Sequence, residues 1–241
     1  MFARILFMLA TVAATALPAW AGTEVWTNEP VYQGVKANAP IPTWQHILNE
    51  GGIDRAGLCV IASNTANGLY QDVPEFRDGK GSAVWKLAKS REGGYYPEKL
   101  EKLFRDAGLK TAWFQAEGDA KSLCAVIEKY NAAGLPVGVT MNYGEKYGQA
   151  IHHMVSLIHI DKSLVCIVDN NFPGQYMWIS RAEFERRLID GPTGWVVALL
   201  WVKTAVKWAV IAAALVIAAG GAALMFAAVV AFVGLALRRE L

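Results

Sequence analysis

An uncharged stretch of 30 residues, numbers 208–237, limits the architectures open to this chain. A helix needs about 20 apolar residues to cross a bilayer, and a buried core helix rarely runs so long without a polar face. A hairpin turning at Gly220 and Gly221 would leave arms of about 15 residues, too short to span comfortably. We therefore expect one transmembrane helix within residues 203–241.

The first 21 residues have the pattern of a secretory signal peptide. A single charge, Arg4, precedes an apolar run that ends in the small-x-small sequence of residues 19–21. An uncleaved N-terminal anchor is the alternative, and either would export the body of the chain. Arg238 and Arg239 favour a cytoplasmic tail. We expect a single-pass membrane protein whose domain is periplasmic or extracellular and whose C-terminus is cytoplasmic.

Between these ends lie about 180 residues, enough for one domain. We assign residues 22–44 to an extended leader and 45–202 to the domain. A net charge of +2 without a basic tract gives no reason to expect a nucleic-acid partner. The three cysteines are an odd number, so an exported domain keeps at least one free thiol. We expect this to be Cys59, whereas Cys124 and Cys166 either pair or, as we favour, are buried.

Periodicity predicts the α+β class, with helices first and a mostly antiparallel sheet after them. Apolar residues spaced three and four apart indicate helices near residues 59–69, 97–107 and 119–133. Residues 71–96 are polar and Gly-rich, and we expect a surface loop there with a short helix around 82–90. An early strand is expected at 111–115. From residue 135 the period changes to two, which predicts strands at 136–141, 152–160, 164–169, 175–179 and 195–201. Ser180 and Glu183 form a capping-box pair that opens one further helix.

Cys59 lies at the predicted N-terminus of the first helix, after Gly57. Free N–H groups and the helix dipole stabilise an anion there and lower the pKa of a thiol. An inert cysteine on the apolar face of a core helix is the alternative. Cys59 becomes a candidate nucleophile because a histidine and an Asx residue follow it in the sequence, an order that suits a base and an orienting group.

His153 is predicted to lie near a triplet of Asx residues. The segments 152–160 and 164–169 are separated by the short polar break of residues 161–163, which indicates a hairpin. A loop of two to four residues places His153 opposite residues 170–172, and cross-strand neighbours lie about 5 Å apart. His153 should therefore reach Asp169, Asn170 or Asn171, although this pattern does not bring it near Cys59.

The other histidines are assigned lesser roles. His152 and His153 point to opposite faces of a strand, and no acidic cluster nearby completes a metal site, so we expect neither a metal nor another cofactor. We expect a structural role for His159 and a surface position for His46.

Three segments resemble the papain-like cysteine peptidases, nearest to the bacteriocin-processing C39-type peptidases. They are GGIDRAGLCVIAS around Cys59, HHMVSLIHID around His153, and VCIVDNNFPGQYMWISRAEF around Asp169, and the likeness covers roughly residues 45–200. The resemblance implies a papain-like domain in which Cys59 begins the central helix as nucleophile. His153, in an H-x-V pattern, is then the base, and Asp169, or next Asn170, orients it.

This resemblance implies a membrane-anchored cysteine peptidase or amidase that acts on a peptide or envelope protein. One departure opens an alternative, a non-catalytic papain-like binding module or pseudoenzyme. The family carries a Gln about six residues before its Cys as an oxyanion donor, but Ile53 stands there. Gln45 and Asn49 are polar but at the wrong spacing, and Asp54 would repel an oxyanion. Loss of one such donor costs about 10²–10³ in rate.

Overall fold

The computed structural model describes residues 23–50, 58–91, 97–116 and 118–199. The predicted signal peptide and the predicted transmembrane helix lie outside these ranges. Among the described residues, no helix combines the length and the apolar character needed to cross a bilayer.

Five helices and nine strands make up the described part of the chain, which confirms the predicted α+β class. The helices are α1 (Leu58–Tyr70), α2 (Ala83–Ser90), α3 (Pro97–Asp106), α4 (Ala120–Ala132) and α5 (Arg181–Arg187). The strands are β1 (Val25–Thr27), β2 (Val31–Tyr32), β3 (Val35–Lys36), β4 (Thr111–Gln115), β5 (Val137–Tyr143), β6 (Ala150–Ile160), β7 (Leu164–Val168), β8 (Tyr176–Ser180) and β9 (Trp195–Leu199).

Seven of the strands form one sheet in the order β1-β8-β7-β6-β5-β9-β4, and every neighbouring pair is antiparallel. The predicted hairpin is confirmed: β6 pairs with β7 through Ser156 opposite Val168 and Ile160 opposite Val165. The register shifts between Leu157 and His159, as at a β-bulge. This pairing points the C-terminal end of β7 toward the start of β6.

Helices cover both faces of the sheet, and the alternation of strand side chains supplies a core to each. Met154 and Val197 pack with α1, α2 and α3, whereas their neighbours Val155 and Val196 pack with α4 and α5. The predicted period of two from residue 135 onward therefore corresponds to a sheet buried on both sides.

The segment predicted as an extended leader takes part in the sheet. Residues 25–27 form the edge strand β1 beside β8, and residues 37–41 pack into a third cluster with Ile158 and Trp178. This packing overturns the expectation that His46 lies at the surface. Its side chain is buried, Nε2 donates to the carbonyl of Ile41 (3.2 Å), and Nδ1 accepts from the N–H of Gly174 (3.0 Å).

All three cysteines are free and buried. Cys124 and Cys166 therefore act as small core side chains, as favoured, and form no disulfide.

Candidate active site

Cys59 is the second residue of α1, and the residue is 7% exposed. The N–H groups of the first helical turn have no acceptor within the helix, so they favour a negative charge at this position. The backbone N–H groups of Met154 and Val60 both stabilise the thiolate. The thiol thus occupies the N-terminal end of a buried helix that packs against β6, the central strand of the sheet.

Hydrogen bonds between α1 and β6 bring Cys59 to His153. The Ser63 hydroxyl, one turn after Cys59, donates to the carbonyl of Met154 (3.0 Å), the residue next to His153. The Ser156 hydroxyl donates to the carbonyl of Ser63 (3.2 Å). These two bonds cross between the same elements in opposite directions, so they hold the helix against the strand.

His153 has a separate partner for each ring nitrogen. Nε2 lies 3.0 Å from Oδ1 of Asp169, and the Cys59 thiol forms a hydrogen bond with the same ring, which leaves Nδ1 to face the sulfur. The imidazole is 6% exposed. Cys59, His153 and Asp169 therefore form one continuous, buried row.

Asp169 follows β7 directly, and its carboxylate is surrounded by donors. Besides His153, the Tyr147 hydroxyl lies 2.9 and 2.8 Å from the two carboxylate oxygens, and the N–H of Asn171 donates to Oδ1 (2.9 Å). A buried carboxylate with several donors stays ionised and fixed in orientation. The structure thus places Asp169, rather than its neighbour, against the ring.

Asn170 serves a different purpose. Its Nδ2 lies within hydrogen-bonding distance of the carbonyl of Cys59 (3.0 Å), the carbonyl of Met154 (2.8 Å) and the hydroxyl of Ser63 (2.8 Å). All three acceptors belong to the contact between α1 and β6. The amide therefore supports the backbone on both sides of the dyad without contacting the imidazole.

The row is organised as an ion pair. Burial raises the pKa of the Cys59 thiol, but the hydrogen bond and charge of His153 outweigh it, so that the pKa lies below its ordinary value. Burial lowers the pKa of His153, but Asp169 first and Cys59 second raise it to about 10. Burial likewise opposes ionisation of Asp169, yet His153 keeps the pKa of that carboxyl below its usual range. All three pKa shifts favour the same protonation state, a Cys59 thiolate beside a His153 imidazolium.

Tyr147 is a residue that the sequence analysis missed. It lies in a short 3-10 turn, Glu145–Tyr147, with its ring centroid 5.6 Å from that of His153. Burial and the Asp169 charge raise the pKa of its phenol, which remains a donor. Gly144 permits this fold, because a Cβ there would lie 2.8 Å from the Tyr147 ring. The only sequence signal was an aromatic residue in a turn between Gly144 and Gly148.

The remaining candidates lie apart from this row or outside the described ranges. His152 is exposed, and His159 is buried beside Asn38 and Asp161. Gln45 is turned toward α1, where Nε2 lies 3.4 Å from the carbonyl of Leu69. Asn49 is buried, and its N–H donates to the carbonyl of Asn170 (2.8 Å), which puts its backbone beside the site. Ile53 and Asp54 are not among the described residues.

Within the described ranges, no group of three or more His, Cys, Asp and Glu side chains is arranged to hold a metal ion.

No protein-family model matches this chain, and no curated protein matches it. Among solved structures, the chain is similar to a protein provisionally described as a C39-like peptidase from Bacillus anthracis. The two are 15% identical and superpose with a TM-score of 0.47, over 69% of this chain and 98% of the other.

Proposed function

We propose that this protein is a cysteine peptidase or amidase that forms a thioester on Cys59. The observation that carries the proposal is the buried row in which His153 contacts Cys59 through one ring nitrogen and Asp169 through the other. A nucleophile, a base and a group that orients the base are the parts that acyl transfer requires.

Acylation follows from the ion pair. The Cys59 thiolate attacks the carbonyl carbon of the scissile amide, and the imidazolium of His153 gives its Nδ1 proton to the leaving nitrogen. The C–N bond breaks, the amine departs, and a thioester remains on Cys59. The Asp169 carboxylate accepts a hydrogen bond from the Nε2–H group of His153 throughout, which fixes the tautomer and the plane of the ring.

Deacylation uses the same groups in reverse. Neutral His153 accepts a proton from water, the resulting hydroxide attacks the thioester carbonyl, and the carboxylic acid leaves as Cys59 recovers its thiolate. The reaction needs no cofactor. The backbone N–H of Cys59, at the start of α1, is suited to stabilise the oxyanion.

The setting of the reaction is inferred from the two ends of the sequence. With the chain tethered by residues 203–241 and its domain exported, the substrates are peptides or envelope proteins near the outer surface of the membrane. A nucleic-acid partner is not part of this proposal.

A non-catalytic binding module is the alternative, and one observation favours it. Ile53 stands where the resembling peptidases carry a Gln, so this position cannot supply the usual side-chain donor for the oxyanion. Such a module would retain the reactive thiol without turnover.

Mass spectrometry of a peptide library, incubated with the full-length protein in detergent micelles, tests the proposal. We expect cleavage by the wild type, none by Cys59→Ala, and an acyl adduct on Cys59 after acid quenching. Alkylation of Cys59 without cleavage or adduct, for any peptide offered, would favour the binding module.

A further inference from the structure

The turn that carries Tyr147 is fastened to the N-terminal segment Thr23–Thr27. The N–H of Glu145 donates to Oε1 of Glu24 (2.6 Å), and Oε1 of Glu145 accepts from the N–H and hydroxyl of Thr23 (2.8 and 2.6 Å). The ammonium of Lys146 lies 3.4 Å from the centroid of the Trp26 ring. Two consecutive residues before Tyr147 therefore rest on this segment.

A buried arginine stabilises the contact between the N-terminal segment and this turn. Arg187 of α5 is fully buried and lies 2.5 Å from the carboxylates of both Glu24 and Glu183. Its guanidinium also donates to the Thr23 hydroxyl (2.8 Å) and lies 3.6 Å from Glu145. Removing one partner of a buried charge leaves the other uncompensated, at a cost far above that of a surface ion pair. These contacts fix the position of the Glu24 carboxylate.

The contacts continue from this network to the reacting groups. Glu24 fixes Glu145, the turn Glu145–Tyr147 presents the phenol, and the phenol donates to Asp169. Asp169 in turn orients His153. Phe172 lies three residues after Asp169, and its ring packs edge to face on that of Trp26, with the centroids 5.6 Å apart. This contact is a second connection between the N-terminal segment and the chain around Asp169.

We propose that the N-terminal segment Thr23–Thr27 is a positioning element of the active site, which acts through Glu145 and Tyr147 to hold the Asp169 carboxylate against His153. This inference rests on the proposed function in taking Cys59, His153 and Asp169 as the reacting groups. None of the segment's residues is a catalytic residue. Release of the segment from Arg187 and Glu145 would switch off the site while leaving Cys59 and His153 in the chain.

Iodoacetamide alkylation of Cys59, followed by mass spectrometry across pH, reports the thiolate without requiring any substrate. In Glu24→Gln the amide oxygen can still accept from the N–H of Glu145, but the ion pair with Arg187 is lost, so the segment and the turn are held less firmly. Asp169 then loosens, and the imidazolium stabilises the thiolate less. We expect the acid limb of the profile to move up by about one pH unit, which slows alkylation about tenfold at pH values below the limb. Glu29→Gln, an exposed carboxylate of the neighbouring turn, is the matched control and should match the wild type.

A double-mutant cycle separates positioning from general destabilisation. Tyr147→Phe removes the bond to Asp169 itself and should slow alkylation at least as much as Glu24→Gln. In the Tyr147→Phe background, Glu24→Gln should change the alkylation rate by less than about twofold, because the hydrogen bond that connects the turn to Asp169 is already lost.

Two results would overturn the inference: a folded Glu24→Gln protein with the wild-type pH profile, or effects of Glu24→Gln and Tyr147→Phe that multiply. Near-ultraviolet circular dichroism establishes folding. If Glu24→Gln does not fold, Thr23→Ala, which removes one bond each to Glu145 and Arg187, takes its place with the same expectations. Because alkylation needs no peptide, the cycle gives an answer even where the peptidase proposal fails.

Discussion

The three cysteines of this protein are all buried, yet their surroundings set their thiols far apart in acidity. Burial first and nearby carboxylates after it raise the pKa of Cys124 to about 11, against the opposing charge of Arg181. Burial raises the pKa of Cys166 well above its ordinary value. His153 lowers the pKa of Cys59 instead. Reactivity toward an electrophile follows the thiolate fraction, so chemical labelling can read this difference directly.

We expect iodoacetamide at pH 7 to alkylate Cys59 more than about 10²-fold faster than Cys124 or Cys166 in the folded protein. His153→Ala should slow the reaction of Cys59 markedly, because the thiolate loses its cation, whereas His152→Ala changes an exposed side chain and should slow it less. Peptide mapping after timed alkylation measures all three rates. Equal rates for the three thiols, or a larger effect from His152, would contradict the assignment of the dyad.

The pH dependence follows from the two shifted groups. As pH falls through the lowered pKa of Cys59, the thiolate is protonated, so both alkylation and turnover decline on the acid side. As pH rises through the His153 pKa of about 10, the imidazolium loses the proton that the leaving amine needs. We expect turnover to be bell-shaped, with its alkaline limb near pH 10, and alkylation to stay on a plateau there. Parallel alkaline losses of both would argue against His153 as the acid.

Asp169 and Asn170 should respond differently to truncation. Asp169→Ala removes the carboxylate that accepts a hydrogen bond from His153. We therefore expect it to impair Cys59 reactivity or turnover more than Asn170→Ala does. Asn170→Ala instead leaves backbone carbonyls of Cys59 and Met154 without the amide, which should cost about 1–3 kcal/mol in the free energy of unfolding. Urea unfolding and alkylation, measured on both variants, separate the two losses. A greater loss of reactivity in folded Asn170→Ala would assign the orienting role to the amide.

The contact between α1 and β6 decides whether a nucleophile and a base meet. α1 is buried along most of its length, and two of its polar side chains, Ser63 and Asn64, donate to acceptors in β6 and in the helix itself. Because such groups are costly when unpaired, they select one rotation and one height of the helix on the sheet.

Ser63→Ala tests this contact. It removes the bond to the carbonyl of Met154, and we expect a loss of about 1 kcal/mol in the free energy of unfolding, with slower Cys59 alkylation. Ser90→Ala in α2 is the control, because Ser90 is exposed and its hydroxyl bonds only a carbonyl of its own helix. Chemical denaturation of the two variants supplies the comparison. Equal stability and equal reactivity of both variants would show that the hydroxyl does not hold the helix in place.

The proposed orientation of the chain in a membrane can be tested at its C-terminus. A cytoplasmic tail is predicted from the signal-like pattern of residues 1–21, the uncharged residues 208–237 and the arginines after them. Alkaline phosphatase fused after Leu241 should therefore be inactive, since it folds only where disulfides form. An active fusion would place the tail outside and reverse the proposed topology. A fusion within the domain, at the exposed Gly118, is the positive control.

Much of the element pattern could be read from the residues themselves, because it depends on neighbours close in the chain. The helices α1 to α5 and the strands from β4 onward lie close to their predicted positions, and the β6–β7 hairpin has the predicted register. That hairpin brings His153 near the Asp169 triplet through a short loop, whose geometry admits few alternatives. The edge strand β1 was missed, since three residues are too few to show a period and its partner β8 lies far along the chain.

The meeting of Cys59 with His153, the choice of Asp169 over Asn170 and the role of Tyr147 could not be obtained in this way. Each depends on how α1 packs on β6 or on which side chains after β7 point toward His153. Adjacent residues of similar chemistry, such as Asp169 and Asn170, are distinguished only by the direction in which their side chains point. Arg187 is the extreme case, because its partners come from the N-terminal segment, the Glu145 turn and its own helix. Local periodicity carries no information on contacts between segments so far apart, whereas packing in three dimensions assigns each buried charge a single place.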